Sequence, residues 1–405
     1  MSESQDPADA SSGLPVRRPV RRAARVALTA VVASSLALSG CTSQEKPRAR
    51  PTTSTSTTPA VTPTPEPFTA KGLPAELAAV IRPIYLGGNV PSSPLAAKAL
   101  LKRKAGPSTV TVTGAVSRWK NTPVAVITSG KDVTLAVAAP KWRVVGGWWP
   151  SLGVSAPTLG GTRRVLVIGS DARPGENVFR SRGDSLHILG FDGRGGGGIV
   201  GIPRDSYVPL ATGGRGKINS ALTFGGPDAE LRTVRGATGV PLEGYVITGF
   251  DGFTRLVDAI HGLPITIPKA IKDSFSGANV VPGPTRLNGG AALSYARARH
   301  GVEGGDFGRS ANQGLVVLAA GAFAKLAGPL KLPGILHATG RLVATNLSAE
   351  QILTLSASAL AVSPRRVHTG VAAGGFGMTP DGQSIVLWDG HARALFADIR
   401  DGNLS

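Results

Sequence analysis

The chain is 405 residues long, 41% hydrophobic and carries a formal net charge of +19, which leaves room for a leader, a linker and one or two domains with a real core. Its single cysteine, Cys41, excludes an intrachain disulfide and a cysteine-based zinc site. So basic a chain seeks anionic partners, and nucleic acid, anionic lipid and phosphate-rich substrates all qualify on charge alone.

Arg17, Arg18, Arg21, Arg22 and Arg25 precede an apolar run at 26–38 that ends in Leu38-Ser39-Gly40-Cys41. The run is short for a spanning helix, which needs about 20 residues, and suits the core of a secretory signal. Its end resembles a bacterial lipoprotein box in which Cys41 takes the lipid, so residues 1–41 read as a lipoprotein-type signal segment, with an uncleaved signal anchor as the alternative. Residues 42–67 are Thr- and Pro-rich without hydrophobic periodicity, a tether reaching up to about 3 Å per residue.

Residues 68–160 read as a small α+β accessory module, with helices at 75–85 and 95–103 and strands at 110–116, 124–128, 133–138 and 142–145. Trp119, Trp142, Trp148 and Trp149 fall here. They either offer a glycan-stacking surface or fill a small core, and core filling is the expectation for so short a module.

Residues 161–405 form the second domain. It opens with strand-like runs at 165–169, 185–191 and 199–202, the last two joined by the glycine-rich reversal 192–198. If all three are antiparallel, Asp171 and Arg173, Arg182 and Asp184, and Arg204 and Asp205 share one sheet edge. Carboxylates mixed with guanidinium groups at strand ends suit a divalent metal beside a multiply charged phosphate. Further on, helices are expected at 221–224, 228–238 and 253–260, with Asp251 as the cap of the last. Strands follow at 244–249 and 263–267, a loop at 273–284, and a helix that Asn288 starts and that ends near Ala296. Arg297 and Arg299 then converge only if the chain has become extended. Asp306, Arg309 and Gln313 share one face of a helix capped by Asp306, and the apolar run 315–324 reads as buried, or more sharply as one wall of a hydrocarbon groove. Ser348 and Gln351 make a capping box for a helix through 361, followed by strands at 367–373 and 384–388 and a helix near 391–400.

The motifs GSDAR (169–173), RSRGDS (180–185), IPRDSYVPL (202–210), GKIN (216–219), GFDGFTRLVDAIHG (249–262), LNGGAALSYARARH (287–300) and GDFGRSANQ (305–313) resemble, in order, those of the LytR-CpsA-Psr family. The resemblance implies an α/β fold, a three-layer α/β/α sandwich with a mixed central sheet, here preceded by the accessory module. It implies an extracytoplasmic, membrane-anchored phosphotransferase of the cell envelope. Such an enzyme moves a glycopolymer from a polyprenyl-pyrophosphate carrier to peptidoglycan. By motif, Asp171 and Asp184 match the family's magnesium (Mg2+) carboxylates, and Arg182, Arg204, Lys217, Arg297, Arg299, Arg309 and Gln313 match its pyrophosphate-binding groups. Asp306 matches an acidic residue of less settled role, and the general base is left open between it and a metal-ligating carboxylate. The chain departs from the family pattern in reading RSRGDS where many members have a tighter RSDT, and in ending its leader at a cysteine.

Two other functions compete. A non-catalytic carrier of polyprenyl-phosphate lipids would need the same arginines but no metal chemistry. An envelope-linked transcriptional regulator would use the basic charge, but the chain has no helix-turn-helix with a basic recognition helix, and the export signal removes it from DNA, so no nucleic-acid partner is expected.

Overall fold

The computed structural model describes residues 67–405, so the expectations for the leader, for Cys41 and for almost all of the tether lie outside the described residues. The chain proceeds through β1 (Phe68–Lys71), α1 (Ala75–Leu86), α2 (Pro94–Leu100), β2 (Val110–Trp119), β3 (Thr122–Ser129), β4 (Asp132–Ala138), β5 (Trp142–Trp149) and β6 (Val154–Thr158). These strands form one sheet in sequence order, parallel between β1 and β2 and antiparallel elsewhere.

Next come β7 (Arg163–Ser170), β8 (Gly183–Phe191), β9 (Gly197–Ile202), β10 (Tyr207–Pro209), β11 (Arg215–Lys217), α3 (Ser220–Thr238), β12 (Tyr245–Thr248) and α4 (Phe250–Ala259). They are followed by β13 (Leu263–Ile267), β14 (Ile271–Asp273), β15 (Ala278–Val280), β16 (Gly283–Leu287), α5 (Gly289–Arg297) and α6 (Asp306–Ala327). The chain closes with α7 (Leu332–Thr339), β17 (Ala344–Thr345), α8 (Ala349–Ala361), β18 (Val367–Val371), β19 (Gly374–Met378), β20 (Ser384–Trp388) and α9 (Gly390–Asp398). The second sheet has the order β17-β12-β7-β8-β9-β18. It is mixed, because β7, β8 and β9 run antiparallel as the sequence suggested while β12 and β18 add in parallel on either side.

Side-chain alternation along the strands sorts the core. Leu166, Ile168, Leu186, Ile188, Val200 and Ile202 pack with Leu222, Leu231 and Val234 of α3 and Phe396 of α9. Val165 and Phe191 face the other way, toward Leu332 and Leu336 of α7 and Ile352 and Leu353 of α8. Helices therefore cover both faces of the mixed sheet, which is the α/β architecture expected. The same α7 and α8 cluster also takes Val124, Val126, Leu135 and Val137 of the first sheet. The opposite face of that sheet, with Ala125, Ile127 and Val144, packs on Leu77, Ile81 and Leu100 of α1 and α2. Burial on both faces explains why β3 and β4 read as nearly continuous apolar runs. Trp119 and Trp149 are buried and Trp142 and Trp148 half-buried, so the tryptophans fill core rather than form a glycan platform.

Some local expectations need correction. The two helical stretches at 221–224 and 228–238 are one element, α3, kinked where Gly226 takes φ 73° ahead of Pro227. Asp251 is not a cap: α4 begins earlier, at Phe250 after Gly249, and Asp251 pairs with Arg255 one turn on. The loop expected at 273–284 holds a hairpin of β14 and β15 and the start of β16, because the Asp273 side chain accepts from Phe275 and Ser276 N–H and closes a tight turn. Asp306 is the first residue of α6 rather than its cap, which is Gly305. The run 315–324 is only partly buried, with Val316 and Ala319 inside and Ala320 and Ala322 exposed. Alanine is a strong helix former that needs no burial, so counting it as apolar overstated the case. The capping box at Ser348 and Gln351 is present. No single helix among the described residues is long and apolar enough to cross a membrane.

Candidate active site

The antiparallel register of β7, β8 and β9 sets their ends at one rim. Asp171 leaves β7 past a register shift at Gly169 and Ser170, and its backbone N–H donates to the Arg182 carbonyl. In return Arg182 N–H donates to Asp171 Oδ1 at 2.8 Å and Arg182 Nε to Oδ2 at 3.1 Å. Asp184, at the start of β8, accepts from Arg204 Nη1 just past β9 and from Asn219 Nδ2 at 3.4 Å. Arg204 Nε is buried without a hydrogen-bond partner, although Asp205 and Asp306 carboxylate oxygens lie 3.7 and 3.9 Å away. Burial works against the Arg204 charge, yet Asp184, Asp306 and Asp205 outweigh it and hold its pKa above the ordinary guanidinium value.

α5 and α6 close the rim from the other side. The Asn288 side chain caps α5, and Ala298 leaves the helix at ψ 131°, so Arg297 and Arg299, two apart in the chain, both line the cavity. Arg297 lies over the Phe250 ring, 4.7 Å from its centroid, a cation–π contact. Arg299 Nε lies 2.8 Å from Asp306 Oδ1 as an ion pair without a directed hydrogen bond, and Arg309 Nη2 donates to Asp306 Oδ2 at 3.1 Å. Asp306 is thus shared by Arg204, Arg299 and Arg309. Burial, with Arg204 nearby, lowers the Arg309 pKa in spite of Asp306. Gln313 Nε2 donates to the Ala296 carbonyl at 3.1 Å and pins α6 to α5.

Together these groups line a cavity of about 390 Å³, a volume within the range of small-molecule sites. Asp171, Arg182, Asp184, Arg204, Arg297, Arg299, Arg309 and Gln313 line it. Asp306 stands behind them as the common counter-ion of Arg204, Arg299 and Arg309. Lys217 does not line it and instead pairs with Asp205 at 2.9 Å. Polarity changes along three of the lining elements. On β7 the lining runs from Val167 and Ile168 to Asp171; on α5, from Leu293 and Ala296 to Arg297; on α6, from Val316 and Val317 back through Gln313 to Arg309. Eight residues of helix span about 12 Å, so a charged end passes over into an apolar wall within one cavity.

Sequence reasoning passed over several groups here. Asp273 is buried and accepts from Arg299 and His300 N–H at 2.9 and 3.2 Å. These bonds, led by the one from Arg299 N–H, hold its pKa well below the usual carboxylate range. Phe275 is 80% exposed at the mouth and stacks on His300 with ring centroids 4.3 Å apart. His187 lies beneath the site, where burial pushes its pKa down to about 4. Only Asp273 left a trace in the sequence, as the aspartate that opens a turn-like segment.

Among the described residues no group of three or more His, Cys, Asp or Glu side chains could hold a metal alone. Magnesium needs less, since it is commonly held by one or two carboxylates with substrate phosphates and water. Asp171 and Asp184 line one cavity with Arg182 and Arg204, two carboxylates beside guanidinium groups suited to phosphate oxygens, and fit that donor set.

A family model matches residues 153–391, most of the second sheet and its helices. The chain belongs to the LytR_cpsA_psr family. Within it, the chain is similar to a probable cell wall biosynthesis protein, LcpB, of Corynebacterium glutamicum, 30% identical over 253 residues that make up 58% of this chain and 60% of that protein. It is also similar to the polyisoprenyl-teichoic acid–peptidoglycan teichoic acid transferase TagU of Bacillus anthracis, 33% identical over 197 residues, or 47% of this chain and 62% of that protein. The chain spans about three fifths of the length of these curated relatives. Among solved structures, Bacillus subtilis TagV matches with a TM-score of 0.51 at 27% identity, covering 60% of this chain and 98% of that one. The accessory module, apart from its last residues, lies outside the family match.

Proposed function

We propose that this LytR_cpsA_psr family member is an extracytoplasmic phosphotransferase that ligates a glycopolymer from a polyprenyl-pyrophosphate carrier to peptidoglycan. The observation that carries the proposal is the cavity's change from a cluster of arginines to an apolar wall. A pyrophosphate head with a hydrocarbon tail has the same polarity along its length. The volume takes the head and the first isoprene units, and the rest of the tail lies outside.

In the reaction, a hydroxyl oxygen of peptidoglycan attacks the phosphorus that bears the glycopolymer. A P–O bond forms, the bridging P–O bond of the pyrophosphate breaks, and polyprenyl phosphate leaves with the bridging oxygen. Arg182, Arg204, Arg297, Arg299 and Arg309 oppose the charge that gathers on the leaving phosphate, and Lys217 adds to the field from outside the cavity. Asp306 fixes three of these arginines before substrate arrives, so its pairing favours a positioning role over that of the base. The hydroxyl proton passes to a carboxylate of the rim. Asp171 and Asp184 would hold magnesium, which when bound supplies charge neutralisation between the phosphates. Cys41 is proposed as the site of lipid attachment that keeps the enzyme beside its lipid substrate.

The test is transfer from a synthetic polyprenyl-pyrophosphate glycan to a peptidoglycan oligomer with magnesium supplied. Arg297→Ala and Arg299→Ala are each expected to cut transfer about a hundredfold or more while circular dichroism stays native. Full activity in both variants rejects the site. A wild-type protein that binds donors but never transfers is a carrier instead.

A further inference from the structure

Ser185 follows Asp184 on β8 and lines the same cavity. Its Oγ lies 3.3 Å from Nδ1 of His187, and His187 Nε2 lies 3.0 Å from the Ser310 carbonyl oxygen on α6. A carbonyl oxygen only accepts, so Nε2 carries the ring proton and Nδ1 presents a lone pair. The Ser185 hydroxyl therefore donates inward to Nδ1, and its oxygen offers the cavity lone pairs alone.

The surrounding strands leave space for this pair. Gly169 is the β7 partner of Ser185 and Gly201 the β9 partner of His187. A Cβ at Gly169 would stand 2.8 Å from the Ser185 Cβ, and one at Gly201 would stand 3.1 Å from His187 Nε2 and collide with Ser310 Oγ. With His187 fully buried, its hydrogen bonds to Ser185 and Ser310 fix one ring geometry, because any other leaves a buried ring nitrogen unpaired.

An oxygen that can only accept, in one cavity lining with Asp184 and Asp171, repels a phosphate unless a cation lies between. Serine and threonine hydroxyls hold magnesium in this way in phosphate-binding loops. We propose that Ser185 Oγ is an oxygen ligand of the divalent cation that Asp171 and Asp184 serve, and that His187 is the positioning residue that turns its lone pairs toward the cavity. The assignment rests on the metal and pyrophosphate site proposed above.

The experiment is calorimetric titration of magnesium into the full chain loaded with inorganic pyrophosphate. Ser185→Ala is expected to weaken magnesium binding about tenfold or more, whereas Ser185→Thr keeps the hydroxyl and stays near wild type. The isosteric Ser185→Val matches the alanine variant, and its comparison with threonine holds the volume constant if alanine proves unstable. Pyrophosphate affinity measured without magnesium stays unchanged in all three, which damage to the fold would not allow. Wild-type magnesium affinity in Ser185→Ala or Ser185→Val overturns the proposal, as does a wild-type protein that takes up no magnesium with pyrophosphate present. Transfer is not read, so a failure of the transferase proposal and a failure of this one are separate results.

Discussion

Asp273 is nearly inaccessible to solvent and accepts backbone N–H groups from two segments, Phe275 and Ser276 in the turn after it and Arg299 and His300 just past α5. One carboxylate thus shapes a turn and sets the backbone from which Arg299 reaches Asp306. Its pKa is lowered first by the Arg299 N–H, which gives the sign of its effect on stability. A depressed carboxylate contributes stability above its unfolded pKa, and that stability is lost as pH falls through the folded value. Thermal unfolding from about pH 4 down to about pH 2 should show this acid loss in the wild type and a flatter curve in Asp273→Asn. Pyrophosphate affinity at neutral pH should fall in the same variant, because Arg299 is held less firmly; an unchanged acid limb and unchanged affinity would reduce Asp273 to an ordinary turn residue.

At the scale of an element, α3 depends on a carboxyl group kept neutral. Its helical path breaks at Gly226 and Pro227, and near its start Leu222 N–H is one of the N-terminal donors that no carbonyl of the helix reaches and that Asn219 does not cap. Glu230 answers from the second segment, with Oε2 accepting from Leu222 N–H at 2.8 Å and Oε1 unpaired. Burial pushes its pKa up to about 8, against the opposing pull of the Leu222 bond. A carboxyl raised in the folded state contributes its stability below the unfolded pKa and loses it as pH rises through the folded one. Wild-type stability in urea should therefore decline between about pH 5 and pH 8 by on the order of 2–4 kcal/mol, and Glu230→Gln should remove that slope whatever its absolute stability. An equal slope in both proteins would place the titration elsewhere.

At the scale of the whole molecule, the accessory sheet and the mixed sheet share the apolar cluster around α7 and α8. Polar ties reinforce the junction: Arg143 of β5 pairs with Glu350 of α8 at 2.7 Å, and Arg163 of β7 joins Glu243, the Leu159 carbonyl and Thr354. The module is a covering layer of the family-matched domain as well as a unit with its own core. Outside the described residues, the basic leader and Leu38-Ser39-Gly40-Cys41 carry the proposed anchor. Cys41→Ala is expected to abolish metabolic labelling with a fatty acid and to leave precursor or shed protein in fractionated cells. Unchanged labelling, or a mature N-terminus other than Cys41, would discard the lipid anchor.

The sequence by itself determined the strands of 165–202 and the glycine-rich reversal between the last two, the α5 cap at Asn288, the capping box at Ser348 and the set of charged residues that gather at the rim. These are legible because side-chain period, turn chemistry and capping act over a few neighbouring residues. Only the tertiary structure decided that Asp306 is a shared counter-ion rather than a cap, that Lys217 pairs outside the cavity, and that Asp273 lines it with His187 buried beneath. The partners of those side chains come from segments distant in the chain, and a hydrogen bond or ion pair at such separation leaves no periodic mark in the sequence. The accessory module likewise read as separate because its strands are apolar on both faces, and nothing local tells a face that covers α1 and α2 from one that covers α7 and α8.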